Sequence, residues 1–232
     1  MSMSVSIVYC FMVSSGNLRQ ISQFSSNLLL LSQTTPIVTH FLSFNNNIKN
    51  PQDLLNASIF FDFRALAGNE TLLQPLREYV TKHAQATPRF IKLLVENSLQ
   101  WKVPLNWFGS LETKELEGKN VIDIKLQGTA IVVDCARIYS LANGISAVNT
   151  HERLAAIGRV LQVTEAESQA WIAAFEYLQT LRLAAQIDGH LIGSNPNAVD
   201  VDQLNSVDRT ILRESLSKVR NLQQHLELDY VR

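Results

Sequence analysis

Beyond residue 70 apolar side chains recur mostly at helical spacing. In "NETLLQPLREYVTKHA" Leu72, Leu73, Leu76, Tyr79 and Val80 share one face of a 3.6-residue repeat, interrupted by Pro75. Thr87-Pro88 predicts the next helix start, because Thr caps and Pro suits a first turn; Phe90, Leu93, Leu94, Asn97 and Trp101 then form its stripe. Further helices are predicted from about Thr129 to Leu141, stopped at Asn143-Gly144, from Thr150, and from Thr164. The Thr164 helix opens on the capping box Thr164-x-x-Glu167 and carries Trp171, Phe175, Leu178, Leu181 and Ala185. A last helix from near Ser206 shows Leu212, Leu216, Val219, Leu222 and Leu226 at helical spacing. Helices of this kind with short connections predict an antiparallel bundle.

Strand periodicity is confined to short stretches. In "SIFFDFR", residues 58–64, alternation puts Phe61 and Phe63 on one face and Phe60, Asp62 and Arg64 on the other. In "LEGKNVIDIKLQG" it puts Val121, Asp123 and Lys125 opposite Ile122, Ile124 and Leu126. "KVPLNWFGS" and "DGHLIGSNPNAVD" read as loops. The first 56 residues are rich in Ser, Asn and Gln; "LRQISQFSSNLLLLSQ" predicts a helix and "VSIVYCFMV" an opening strand. The latter is short and has no basic residue before it, which argues against a signal peptide or membrane span. The expected class is therefore α+β, mostly α.

Composition narrows the function classes. The 232 residues are 46% apolar and 18% charged with a net charge of −1, a globular and cytoplasmic profile that argues against a nucleic-acid partner held by phosphate contacts. Cys10 and Cys135 lie far apart in apolar surroundings, as reduced, buried thiols do, and neither CxxC nor His-rich spacing suggests structural zinc. His83, His151 and His190 read as solvated side chains.

The charges in apolar company remain. Asp62 on an apolar strand needs a cationic or metal partner. In residues 121–154, Asp123 and Lys125 precede an apolar helix bearing Arg137, and Thr150 is read as capping a helix with Arg153 in its first turn. Arg137 either pairs with Asp123 or Asp134, or joins Lys125, Arg153 and the helix start at Thr150 around an anion such as phosphate. Arg182 and Gln186 form a weaker polar stripe that reads as a solvated face.

Six blocks in order, "NASIFFDFRALAG", "GKNVIDIKLQG", "IVVDCARIYSLANGI", "NTHERL", "FEYLQTLRLAAQ" and "LNSVDRTILRESLSKVRNLQQHL", resemble the C-terminal part of a bacterial nucleotidyltransferase family, over roughly residues 51–228. That family is similar to the protein-PII uridylyltransferases and is often fused to cyclic-nucleotide-binding and CBS domains. The resemblance implies the rear of a mixed-sheet catalytic domain over residues 1–68 and a helical substrate-binding domain over 69–232. It implies transfer of a nucleoside monophosphate from a nucleoside triphosphate to a protein or small acceptor, in a signalling context. Asp62 maps onto the third carboxylate of a two-metal centre holding Mg²⁺ or Mn²⁺; Arg64 would contact phosphate, and Asp123, Lys125, Arg137, Thr150 and Arg153 would shape the substrate pocket.

The Gly-Ser turn and Asp-x-Asp pair expected upstream are missing from residues 1–57. The chain is thus expected to be catalytically incomplete alone, with a metal only if the missing half is supplied by another chain. The alternative is a non-catalytic regulatory module that binds a nucleotide or protein. Association into a homo-oligomer is a further expectation, because a half-sheet exposes apolar edges.

Overall fold

The computed structural model describes residues 62, 73–187, 192 and 195–231. It divides into two compact units, residues 1–90 and 91–232. Among the described residues the fold is α+β and mostly α, and no helix is long and apolar enough to cross a membrane.

In the first unit, α1 spans Leu73–Gln85. Pro75 sits in its first turn, where the missing N–H has no intrahelical partner to lose, so the interruption in the pattern marks the helix start. Val80 and Ala84 are buried. Thr87 ends this segment rather than capping the next: its hydroxyl donates to the His83 carbonyl at 2.9 Å. Pro88 then opens α2, Pro88–Ser98, as read. The buried face of α2 is Phe90, Ile91, Leu94, Val95 and Ser98, and Trp101, beyond the helix end, is exposed. Asp62 lies at a bend in the chain instead of within a strand and is half-buried. The rest of "SIFFDFR", Arg64 included, lies outside the described residues, as do Cys10, the predicted N-terminal elements and His190.

The second unit packs a small sheet beside four helices. Strands β1 (Lys114–Leu116) and β2 (Lys119–Asp123) form a hairpin, with Glu117 at φ 54° and Gly118 at φ 74° in a two-residue turn that matches strand twist. β3 (Ala198–Asp200) joins antiparallel on the far side of β2, pairing Val121 with Asp200 and Asp123 with Ala198. The segment "DGHLIGSNPNAVD" thus holds a strand and is not wholly loop. The extended reading of residues 116–128 also ends early. The strand stops at Asp123, and a π-helical turn, Lys125–Thr129, leads into α3, Ala130–Ala142.

α3 is buried on almost every side and ends at Gly144 (φ 70°), as the Asn-Gly stop predicts. Cys135 within it is a free thiol, 1% exposed; burial, then Asp134, push its pKa up. α4 (Thr150–Val160), α5 (Glu165–Ile187) and α6 (Ser206–Tyr230) complete the bundle. Thr164 caps α5 as read, the Glu167 N–H donating to Thr164 Oγ1 at 3.2 Å, which is the N-cap half of the predicted box. α4 and α5 run antiparallel in close contact, since Gly158 faces Ser168 near one end and His151 meets Glu176 near the other. An added Cβ at Gly158 would sit 2.7 Å from Ser168 Cβ, so only glycine allows this approach. α5 and α6 are antiparallel too: Trp171 Nε1 donates to Asn221 Oδ1 at 3.1 Å, and Tyr177 Oη donates to the Asp208 carbonyl at 3.0 Å. The α6 stripe of Leu212, Leu216, Val219, Leu222 and Leu226 is at most 1% exposed, worth about 1.5–3 kcal/mol per side chain.

Candidate functional site

The site grows from the place where β2 becomes a helix. Asp123 Oδ1 accepts from the backbone N–H groups of Lys125 (3.0 Å) and Leu126 (2.8 Å), and its own N–H donates to Gln127 Oε1 (3.1 Å). These bonds satisfy two of the open donors of the new helix and favour the turn out of the strand. Lys125 therefore leaves the strand face it was predicted to share with Asp123 and enters the π turn. π turns insert one extra residue and often accompany functional positions. Gly128 in that turn lies against Leu178 of α5, within 3.5 Å of where a Cβ would be. Arg182, one helical turn beyond Leu178, is thereby carried to the neighbourhood of Lys125.

A chain of side-chain amides holds the assembly. Asp123 Oδ2 accepts from Asn195 Nδ2 at 2.7 Å, and Asn195 Oδ1 accepts from the Asn197 N–H at 2.9 Å. Asn197 Oδ1 then accepts from Arg182 Nε at 2.8 Å and Gln186 Nε2 at 3.0 Å. The Asn197 carbonyl also accepts from Ile124 N–H at 3.0 Å, so the loop before β3 is tied to the start of the π turn. Asn197 is buried, and Lys125 and Arg182 are half-buried. Burial, then the positive charge of Arg182, pull the Lys125 pKa below its ordinary value, and Asp123 offsets this in part.

Two cations thus converge beside a carboxylate whose two oxygens already accept protein hydrogen bonds. Such a pair favours an anionic group: the guanidinium offers paired donors and the ammonium a compact charge, and phosphate uses both. Desolvation strengthens the attraction.

The remaining predicted residues make other contacts. Of the two partners open to Arg137, the structure selects Asp134, one turn earlier on α3, at 2.6 Å. Thr150 is not the cap of α4. That role belongs to Asn149, in extended conformation (φ −78°, ψ 134°), whose side chain accepts from His151 and Glu152 N–H; Thr150 is the first helical residue. Arg153 is 3% exposed and its Nε donates to the Ala147 carbonyl at 2.8 Å, fastening the α3–α4 connection. Asp62 belongs to the first unit. Among the described residues no three His, Cys, Asp or Glu side chains are grouped as a metal requires, so they do not by themselves build a two-metal centre.

Asn195 and Asn197 carried no sequence signal beyond the "SNPN" turn composition, and Arg182 and Gln186 looked like a solvated stripe. Their joint role appears only when the loop and α5 meet. No curated protein and no solved structure matches the chain. Over residues 88–230, which include every residue of this cluster, the chain belongs to the family described as "Putative nucleotidyltransferase substrate binding domain".

Proposed function

We propose that the Lys125–Arg182 pair holds a phosphate-bearing substrate of nucleotidyl transfer. The observation that carries this reading is the convergence of two half-buried cations on an amide-braced platform inside the matched domain. Asp123 orients the π turn, Asn197 sets the guanidinium through Nε, and the terminal amino groups of Arg182 face the task of binding with the ammonium of Lys125. In its finer form the reaction is protein-PII uridylyltransferase-like, moving a nucleoside monophosphate from a nucleoside triphosphate to a protein or small acceptor in signalling.

Catalysis in this reading needs carboxylates beyond those described, so the chain acts as the substrate-holding part and Mg²⁺ or Mn²⁺ arrives with the missing half. Asp62 would contribute one ligand there. Arg137, Thr150 and Arg153 serve the frame around α3 and α4.

Titration calorimetry with UTP and ATP tests the binding step. The chain is expected to bind, and Lys125→Ala or Arg182→Ala to weaken binding by about tenfold, roughly 1.4 kcal/mol. No binding by the unaltered chain, or binding indifferent to both substitutions, sinks the reading. A labelled-nucleotide assay with Mg²⁺ tests the division of labour: the chain alone is expected to show no turnover. Turnover lost in Asp62→Ala would show a complete enzyme instead.

A further inference from the structure

Between α2 and β1 a tight turn displays the two most exposed large apolar side chains of the described residues, Trp107 at 93% and Phe108 at 91%. This turn is built, not loose. Asn106 N–H donates to the Ser110 carbonyl (2.9 Å), Gly109 N–H to the Asn106 carbonyl (3.1 Å), and Ser110 N–H to Asn106 Oδ1 (2.9 Å). Gly109 takes the left-handed conformation the turn requires (φ 79°). Below it Leu105 bridges Leu111, and Arg220 of α6 donates from both terminal nitrogens to the Asn106 carbonyl at 3.1 Å. A rigid support lowers the ordering cost of docking, and tryptophan beside arginine is the composition of interface hot spots.

Beside the turn runs a groove of about 330 Å³ whose walls include Ser110 and Leu111 of the turn itself, Asp202, and Arg209 and Arg213 of α6. Knob and groove therefore share one face.

We propose that this face is a two-fold interface between two copies of the chain, the Trp107–Phe108 knob of each copy seated in the groove of the other. Three observations select a second copy over another partner. Because the knob adjoins the groove, a two-fold axis can seat each knob in the other copy's groove, and that arrangement closes the assembly at two. The charges around the groove are mixed: Arg209 lies 3.8 Å from Asp202 and Arg213 3.2 Å from Glu214, all exposed. A mixed patch matches its own two-fold mate better than it matches a strongly acidic or basic surface. The guanidinium groups of one copy can also stack on the rings of the other. Each aromatic ring buries about 150–250 Å². Two rings per copy thus supply a large share of the roughly 800 Å² per partner that a stable interface needs.

The test is the mass of the full chain in solution, by analytical ultracentrifugation across a concentration series. The expected species has twice the 26.0 kDa chain mass. Trp107→Ser with Phe108→Ser is expected to raise the dimer dissociation constant at least tenfold, and Arg213→Ala severalfold. Trp107 and Phe108 are almost wholly exposed in the single chain, so circular dichroism, and the thermal midpoint at concentrations where both proteins are monomeric, should stay unchanged. A chain that is monomeric throughout, or a dimer equally stable in the double variant, overturns the proposal. The outcome is independent of nucleotide binding, because the turn and groove share no residue with the Lys125–Arg182 cluster.

Discussion

Two polar clusters each join two helices to a carboxylate, and they do opposite things with it. At the far ends of α3 and α6, Tyr139 Oη donates to Asp229 Oδ2 at 2.7 Å, and the Tyr139 and Tyr230 rings meet edge to face at 5.6 Å. Asn143 closes this lock, its Nδ2 donating to the Tyr139 carbonyl at 2.8 Å and the Tyr230 hydroxyl at 3.4 Å. One negative charge there is answered by a neutral donor, and Tyr139 is 1% exposed. At the Asp123 cluster the carboxylate caps the π turn and offsets only part of what burial, then the nearby Arg182 charge, do to Lys125, whose pKa stays below its ordinary value. The lock settles its own charges. The Asp123 cluster keeps two like charges close, the kind of arrangement on which the phosphate-binding proposal rests.

The contrast breaks most visibly at Tyr139. Tyr139→Ala removes a fully buried aromatic and should cost about 3–5 kcal/mol of stability in urea unfolding. Nucleotide affinity of the folded fraction should not change, and a matched loss of affinity would merge the two regions into one. Arg182→Ala should do the reverse. Binding falls about tenfold, as above, while stability moves by less than about 1 kcal/mol, because an unfavourable neighbour of Lys125 leaves along with a hydrogen bond. Unfolding curves and calorimetry on the same preparation read both.

The smallest effect is on alkaline stability, and there the two regions differ in sign. The Tyr139 pKa is raised by burial, then by the hydrogen bond from its hydroxyl to Asp229. Above the ordinary tyrosine pKa, about 10, the unfolded chain loses this proton first and the native state binds more protons, so stability falls as pH rises. Lys125 has a lowered pKa, so between its folded and ordinary values the unfolded chain binds more protons and stability rises with pH. The stability difference between wild type and Tyr139→Phe should therefore shrink above about pH 10. Lys125→Met should be favoured over wild type near neutrality, with an advantage that fades on raising pH through the folded Lys125 pKa. A Lys125→Met advantage that grows with pH would contradict the lowered Lys125 pKa that burial, then Arg182, produce.

Much of the bundle was legible because its signals are local. The Thr164 cap, the Gly144 stop and the five-residue apolar stripe of α6 each depend on neighbours within a few positions, and each appears as read. Other features depended on distant partners. β3 has three residues and acquires strand geometry by pairing with β2, more than seventy positions earlier. The α2 stripe was read with Trp101 and Asn97 where the burial falls on Val95 and Ser98, because a period alone does not say which flank meets the rest of the protein. Asn149 outcompeted Thr150 for the α4 cap, a choice between two adjacent capable side chains that the backbone angles settle.

The sequence by itself determined where the helices of the matched domain lie, that Asp123, Lys125 and Arg137 are charges in apolar company, and which family pattern they follow. Helix periodicity and the cost of burying charge are properties of short windows, so one chain suffices to read them. Only the tertiary structure decided that Asp123 ends a strand, that Gly128 lies against Leu178 of α5, and that Asn195 and Asn197 bind Asp123 to Arg182. Those facts are contacts between residues tens of positions apart. Hydrogen bonds act within about 3 Å, and nothing in the order of residues states which distant groups will come that close.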